Sequence, residues 1–93
     1  MVKQPMLGLL LLVINNGLLI CFGQTQDFAF QYINVTLPTS FSNNSYIIVH
    51  GVYQYYGTTA YYSDMIRAKY VSSFDINSED HAEHKTGWVA IGY

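Results

Sequence analysis

Between Lys3 and Asp64 the only charged side chain is Asp27. So long a stretch without charge cannot be ordinary solvated surface. It points to surface buried against something other than its own short chain, and charge depletion is a mark of interface cores. A chain of 93 residues leaves room for one domain. It buries only a modest share of its surface and is marginal alone. Cys21 is the single cysteine, so no disulfide forms within the chain. A metal or partner subunits are the remaining reinforcement. Charged residues are 11% of the chain and the net charge is −2. That composition provides no basic patch for phosphates and argues against nucleic-acid binding.

No segment past the leader shows a helical period. Phe28 to Leu37 is aromatic and β-branched, so it predicts a strand. Its apolar residues switch phase, from Phe28, Phe30 and Tyr32 to Ile33, Val35 and Leu37. A bulge or burial on both faces would produce that switch. Pro38 ends the pairing because it lacks an N–H. Tyr46 to Gln54 predicts the next strand. Arg67 to Ile76 alternates and predicts another, with Asp75 turned to water. Asn77 to Thr86 is polar and predicts a loop, and Trp88 to Tyr93 predicts a closing strand. Five to seven short strands of this kind predict an all-β fold, a small antiparallel β-sandwich or barrel-like domain.

The amino-terminal part has two readings. Lys3 followed by apolar Met6 to Ile14, with Cys21-Phe22-Gly23 as exit, fits a secretory signal peptide cleaved after residues 1–23. Asn15, Asn16 and Gly17 interrupt that run, and they fit a turn between strands Leu9–Ile14 and Leu18–Phe22. Cys21 is expected to be a buried apolar filler, with nothing beside it to lower its pKa.

Four segments carry a family likeness. Asn16-Gly17-Leu18-Leu19-Ile20-Cys21-Phe22-Gly23 resembles an "N-G-L-I-I-x-W-G" strand. Val35-Thr36-Leu37-Pro38-Thr39-Ser40-Phe41 resembles "V-x-F-P-x-x-F". Ser45 to Val49 resembles the strand after it, and Trp88-Val89-Ala90-Ile91-Gly92-Tyr93 resembles a closing "W-x-A-I-G-Y". In this order they resemble the C-terminal domain of phage tail-fibre proteins. Phe22 and Leu37 depart from the pattern, which has tryptophan and phenylalanine there. The resemblance implies a β domain over residues 15–93, with 1–14 as a leader or partial strand. It also implies a homotrimer at a virion's tail-fibre tip, joined to other fibre segments and meeting a bacterial surface receptor, either polysaccharide or outer-membrane protein. The strand reading of residues 9–22 follows from it. The rival is a small secreted β protein. Within the trimer, the charge-poor residues 28–56 are expected to supply much of the interface.

For chemistry, no Gly-rich phosphate loop or Ser/His/Asp motif is present. Asp64, Asp75, Glu79, Asp80 and Glu83 are expected to be mostly solvated surface charge, so neither an enzyme nor a cofactor is predicted. His81-Ala82-Glu83-His84 has metal-ligand residue types, but the expectation is an exposed loop with two free imidazoles and no metal. His50 is expected in a core or interface. The receptor candidates are Tyr55, Tyr56, Thr58, Thr59, Tyr61 and Tyr62. Tyrosine offers large rigid area with a polar tip, and rings stack on sugar faces while threonines bond hydroxyls. Trp88 is expected to anchor the core.

Overall fold

The computed structural model describes residues 2–4, 10–13, 17–56 and 64–93. They form eight strands and no helix: β1 Val2–Gln4, β2 Leu10–Val13, β3 Leu19–Gln24, β4 Tyr32–Thr36, β5 Ile47–Tyr55, β6 Asp64–Tyr70, β7 Ser73–Ser78 and β8 His84–Gly92. These build two four-stranded sheets, ordered β1-β4-β7-β6 and β2-β3-β8-β5. Neighbours run antiparallel except β1 on β4. The all-β expectation holds, and the strand pair around Asn15–Gly17 is present as β2 and β3.

The core lies between the sheets. Ile33 and Val35 from β4 and Phe74 and Ile76 from β7 meet Cys21 from β3 and Trp88 and Ala90 from β8. Strand β8 alternates strictly, with His84, Thr86, Trp88 and Ala90 buried, as a half-buried strand requires. Trp88 packs edge-on to Phe74 at 5.4 Å and is 3% exposed. It is the core anchor that the sequence predicts. Cys21 is fully buried, and desolvation pushes its thiol up to about 11.

Several boundaries differ from expectation. Phe28–Leu37 is not one strand. Phe28 makes an isolated bridge to His84, Phe30 adopts φ 42°, and pairing starts only at Tyr32. The phase switch is therefore neither a bulge nor two-sided burial, but a left-handed residue before the strand. Arg67–Ile76 is a hairpin, not a single strand, with Val71 and Ser72 in its turn. Nothing in its composition signals this, since neither turn residue is Gly, Asn or Asp. The predicted Asn77–Thr86 loop shrinks to residues 79–83, because β7 runs on to Ser78 and β8 begins at His84.

Tyr46 closes the end of the sandwich where β8 finishes. Its hydroxyl reaches the carbonyls of Tyr70 at 2.7 Å and Ser73 at 2.8 Å, spanning the β6–β7 turn. Phe41 stacks on its ring at 4.3 Å, and Lys69 Nζ donates to its carbonyl at 2.7 Å. Burial pushes its hydroxyl up to about 12, against the lowering effect of the Tyr70 carbonyl bond and with a smaller push from Cys21. Gly92 lies directly against it. A β-carbon at Gly92 would sit 2.6 Å from Tyr46 Cβ and 3.0 Å from its Cα. This is the packing reason for glycine in the closing segment.

Trp88→Ala is expected to cost ~3–5 kcal/mol, and Gly92→Ala ~1–3 kcal/mol by overpacking. Urea unfolding of each variant measures both. A Trp88→Ala chain as stable as the parent would contradict the core assignment.

Alkaline pH tests the buried thiol. Its folded pKa lies above the ordinary 9.0, so its stabilising contribution is intact below pH 9 and is lost as pH rises towards about 11. In Cys21→Ala the fall is expected to begin only near pH 10, where Tyr46 starts to titrate in the unfolded chain. Urea midpoints across this range, parent against variant, provide the check.

Candidate functional site

Two of the candidates, Tyr55 and Tyr56, lie beside a buried polar cluster at the other end of the sandwich. Strand β5 delivers Tyr55 opposite His84 of β8. Tyr56 follows, about half exposed, and its N–H donates to the Glu83 carbonyl at 3.0 Å. Thr58, Thr59, Tyr61 and Tyr62 lie outside the described residues. The chain returns at Asp64, the first residue of β6.

Asp64 and His84 fasten the two ends of this segment to one point. His84 Nε2 meets Asp64 Oδ1 at 2.8 Å, and both side chains are fully buried. His84 Nδ1 meets the Ala82 carbonyl at 3.0 Å. Both ring nitrogens therefore face oxygen atoms. Thr86 Oγ1 donates to Asp64 Oδ2. The Thr86 N–H in turn donates to Thr25 Oγ1 at 2.9 Å, and Thr25 Oγ1 donates to the Gln26 carbonyl at 2.8 Å. The Phe28 ring covers the imidazole at 4.7 Å, while the two residues exchange backbone bonds at 3.0 and 3.1 Å.

These facts correct two expectations. His81 and His84 are not a pair of free imidazoles. His84 is sealed in the cluster, whereas His81 is exposed and stacks on Phe30 at 4.4 Å. The carboxylates also divide: Asp64, Asp75 and Asp80 are buried, and only Glu79 and Glu83 are surface charge. Asp80 Oδ1 accepts from the Ala82 N–H at 3.0 Å, and the Asp80 carbonyl accepts from Phe30 N–H at 2.8 Å. Loop 79–83 is thus tied to residues 28–31. Among the described residues, no three His, Cys, Asp or Glu groups gather as a metal site. Phe30, 60% exposed, and His81 join Tyr56 at this end of the molecule. The sequence predicts Phe30 within a strand and gives no sign of it as a surface group. Its left-handed backbone has no local signal.

A second surface feature is apolar. The outer face of the β2-β3-β8-β5 sheet has Phe22, Val89 and Val49 in one register row and Ile20, Ile91 and Ile47 in the next. Ile47 is 63% and Val49 59% exposed. In an isolated chain this face meets water.

The family model "Putative tail fiber protein gp53-like, C-terminal" matches residues 13–93. The chain belongs to this tail-fibre family. Membership makes it a virion-associated structural protein of the tail-fibre type. The likeness carried by the four sequence segments is therefore upheld. The fold of this tail-fibre domain is also that of solved fibres. The P. aeruginosa R2 pyocin fiber superposes with a TM-score of 0.73 at 16% identity, covering 94% of this chain and 26% of that one. An N-truncated R2-type pyocin tail fiber gives 0.72 at 15% identity, covering 96% and 39%. The tail-fibre domain thus spans well under half the length of either solved chain. No curated protein matches it.

Removing one partner of the buried pair should be severe. Asp64→Ala leaves His84 without its acceptor in a dry site, and is expected to cost ~3–5 kcal/mol. Asp64→Asn, which keeps a neutral acceptor, should cost less. Thermal unfolding of the two variants gives the order, and equal, negligible losses would show that the pair is not holding this end.

Proposed function

We propose that this domain is the tip of a phage tail fibre, assembles as a homotrimer joined to other fibre segments, and attaches the virion to a bacterial surface receptor. The observation that carries the proposal is the apolar outer face of Ile20, Phe22, Ile47, Val49, Val89 and Ile91 on a chain of the tail-fibre family. A small domain without disulfides gains most from covering such a face with copies of itself. Fully burying one Val, Ile or Phe side chain contributes about 1.5–3 kcal/mol. Three copies would present three receptor sites on one rigid rod, and weak sites then act together.

Receptor contact is assigned to Tyr55, Tyr56, Thr58, Thr59, Tyr61 and Tyr62. Exposed loops on a rigid scaffold usually carry recognition. The Asp64–His84 cluster supports this, since it fixes where the segment leaves and rejoins the sandwich. Polysaccharide or an outer-membrane protein is the expected receptor. With no charge before Asp64 in the segment, binding should change little with salt.

Light scattering should give a trimer mass for the parent chain. Val49→Lys and Ile47→Lys, both at exposed positions, should give folded monomers. A parent chain that is a stable monomer at micromolar concentration would refute the assembly.

Attachment is tested separately, with Tyr55, Tyr56, Tyr61 and Tyr62 changed singly to serine. Circular dichroism confirms the fold and adsorption to host cells is then measured. At least one variant should lose adsorption. Unchanged adsorption in all four would move the receptor site elsewhere.

A further inference from the structure

The outer face of the other sheet carries a polar feature. Asp75 of β7 lies between Phe74 and Ile76, which point into the core, so its side chain is on the outer face. An outward residue in a sheet is normally solvated. Asp75 is instead only 9% exposed. Two neutral groups hydrogen-bond it. Asn34 Nδ2 donates to Oδ1 at 3.0 Å, and the Tyr70 hydroxyl makes a long bond to Oδ2 at 3.4 Å. Among the described residues the ion pairs involve Asp64 and Asp27, not Asp75. Desolvating a carboxylate held only by hydrogen bonds from neutral groups is costly.

The carboxylate forms part of the lining of an open cavity of about 230 Å³, together with Tyr32, Arg67 and Ala68. The pairing explains how these groups converge. Asn34, Asp75 and Ala68 stand in one register row across β4, β7 and β6. The β6 register shifts between Ile66 and Ala68, so Arg67 sits in an irregularity. Such bulges re-aim a side chain. Tyr32 and Tyr70 are each about half exposed.

We propose that Asp75, Asn34, Tyr32, Tyr70 and Arg67 form a binding site for one neutral saccharide ring. A carboxylate oxygen has two acceptor positions. Among the described residues each Asp75 oxygen has one protein donor, so each retains one position for a sugar hydroxyl. Arg67 supplies N–H donors in a planar fork. A tyrosine face can stack on the apolar face of the ring. The cavity is smaller than the roughly 300–1,000 Å³ of drug-sized sites, which suits a single ring. A nearly buried carboxylate disfavours anionic sugars. The site goes beyond the attachment proposal, because it uses none of Tyr55, Tyr56, Thr58, Thr59, Tyr61 and Tyr62. It also stays clear of the apolar sheet face, so a trimer built on that face leaves it open.

The same ring can be presented as a free sugar or as a unit of a polysaccharide. The test uses glucose, galactose, mannose and N-acetylglucosamine singly, with dextran and mannan as polymers, against the assembled parent protein. Saturation-transfer NMR detects binding, and titration follows for any probe that binds. Tyr32→Ala and Arg67→Gln change exposed residues and should remain folded. Asp75→Asn keeps the shape. At least one probe should bind the parent and bind each variant at least about tenfold more weakly, the loss expected when a hydrogen bond to a charged group is removed. Binding by free sugars would identify a site sufficient for one ring, and binding by polymers alone would identify a site that reads a ring in a chain; either supports the proposal if the variants lose it. No binding by any probe, or unchanged binding in Tyr32→Ala and Asp75→Asn, overturns it. Host-cell adsorption is scored in parallel. A protein that binds sugar through Asp75 but does not adsorb retains this site and refutes attachment, whereas adsorption without sugar binding does the reverse.

Discussion

Strand β8 is the constraint on which the rest of the structure depends. It pairs along its length with β3 on one side and β5 on the other. Its inward residues change character from one end to the other. His84 and Thr86 hold a buried polar cluster, Trp88 and Ala90 fill the apolar core, and Gly92 leaves room for Tyr46. Strict alternation fixes the register, because a slip of one residue would turn each of these groups to the opposite face. A slip would expose Trp88 and bury Lys85.

Each end of the sandwich is closed by a polar device in place of a disulfide. At one end the Tyr46 hydroxyl binds the carbonyls of the β6–β7 turn. At the other, Asp64 and His84 join β6 to β8, while Phe28 seals the ring from water. Buried pairs of this kind are poor net stabilisers, but they penalise alternatives heavily because an unpartnered charge is costly in a dry site. Their value here is positional. They determine where the segment between Tyr56 and Asp64 begins and ends.

The two sheets have opposite outer faces. One carries rows of Val, Ile and Phe, and the other carries Asn34, Asp75, Tyr32 and Tyr70. A monomer gains nothing from an apolar outer face. The homotrimer proposed above would cover the apolar face and leave the polar one to solvent.

Sequence alone determined the class and the family. Charge depletion, β-branched runs and the closing Trp88 to Tyr93 segment are local signals, and local signals survive without a structure. The burial of Cys21 and the anchoring by Trp88 were legible for the same reason, since apolar residues in an alternating strand have one place to go. Only the tertiary structure decided the polar residues. Asp64 and His84 are 20 apart in sequence, and Asn34 and Asp75 are 41 apart. In sequence each looks like solvated surface. A carboxylate becomes a buried partner only when a distant strand brings its donor to it, and no local pattern encodes that meeting. The Val71-Ser72 turn and the left-handed Phe30 were hidden likewise. None of these residues prefers its conformation, and the pairing of the strands on either side imposes it.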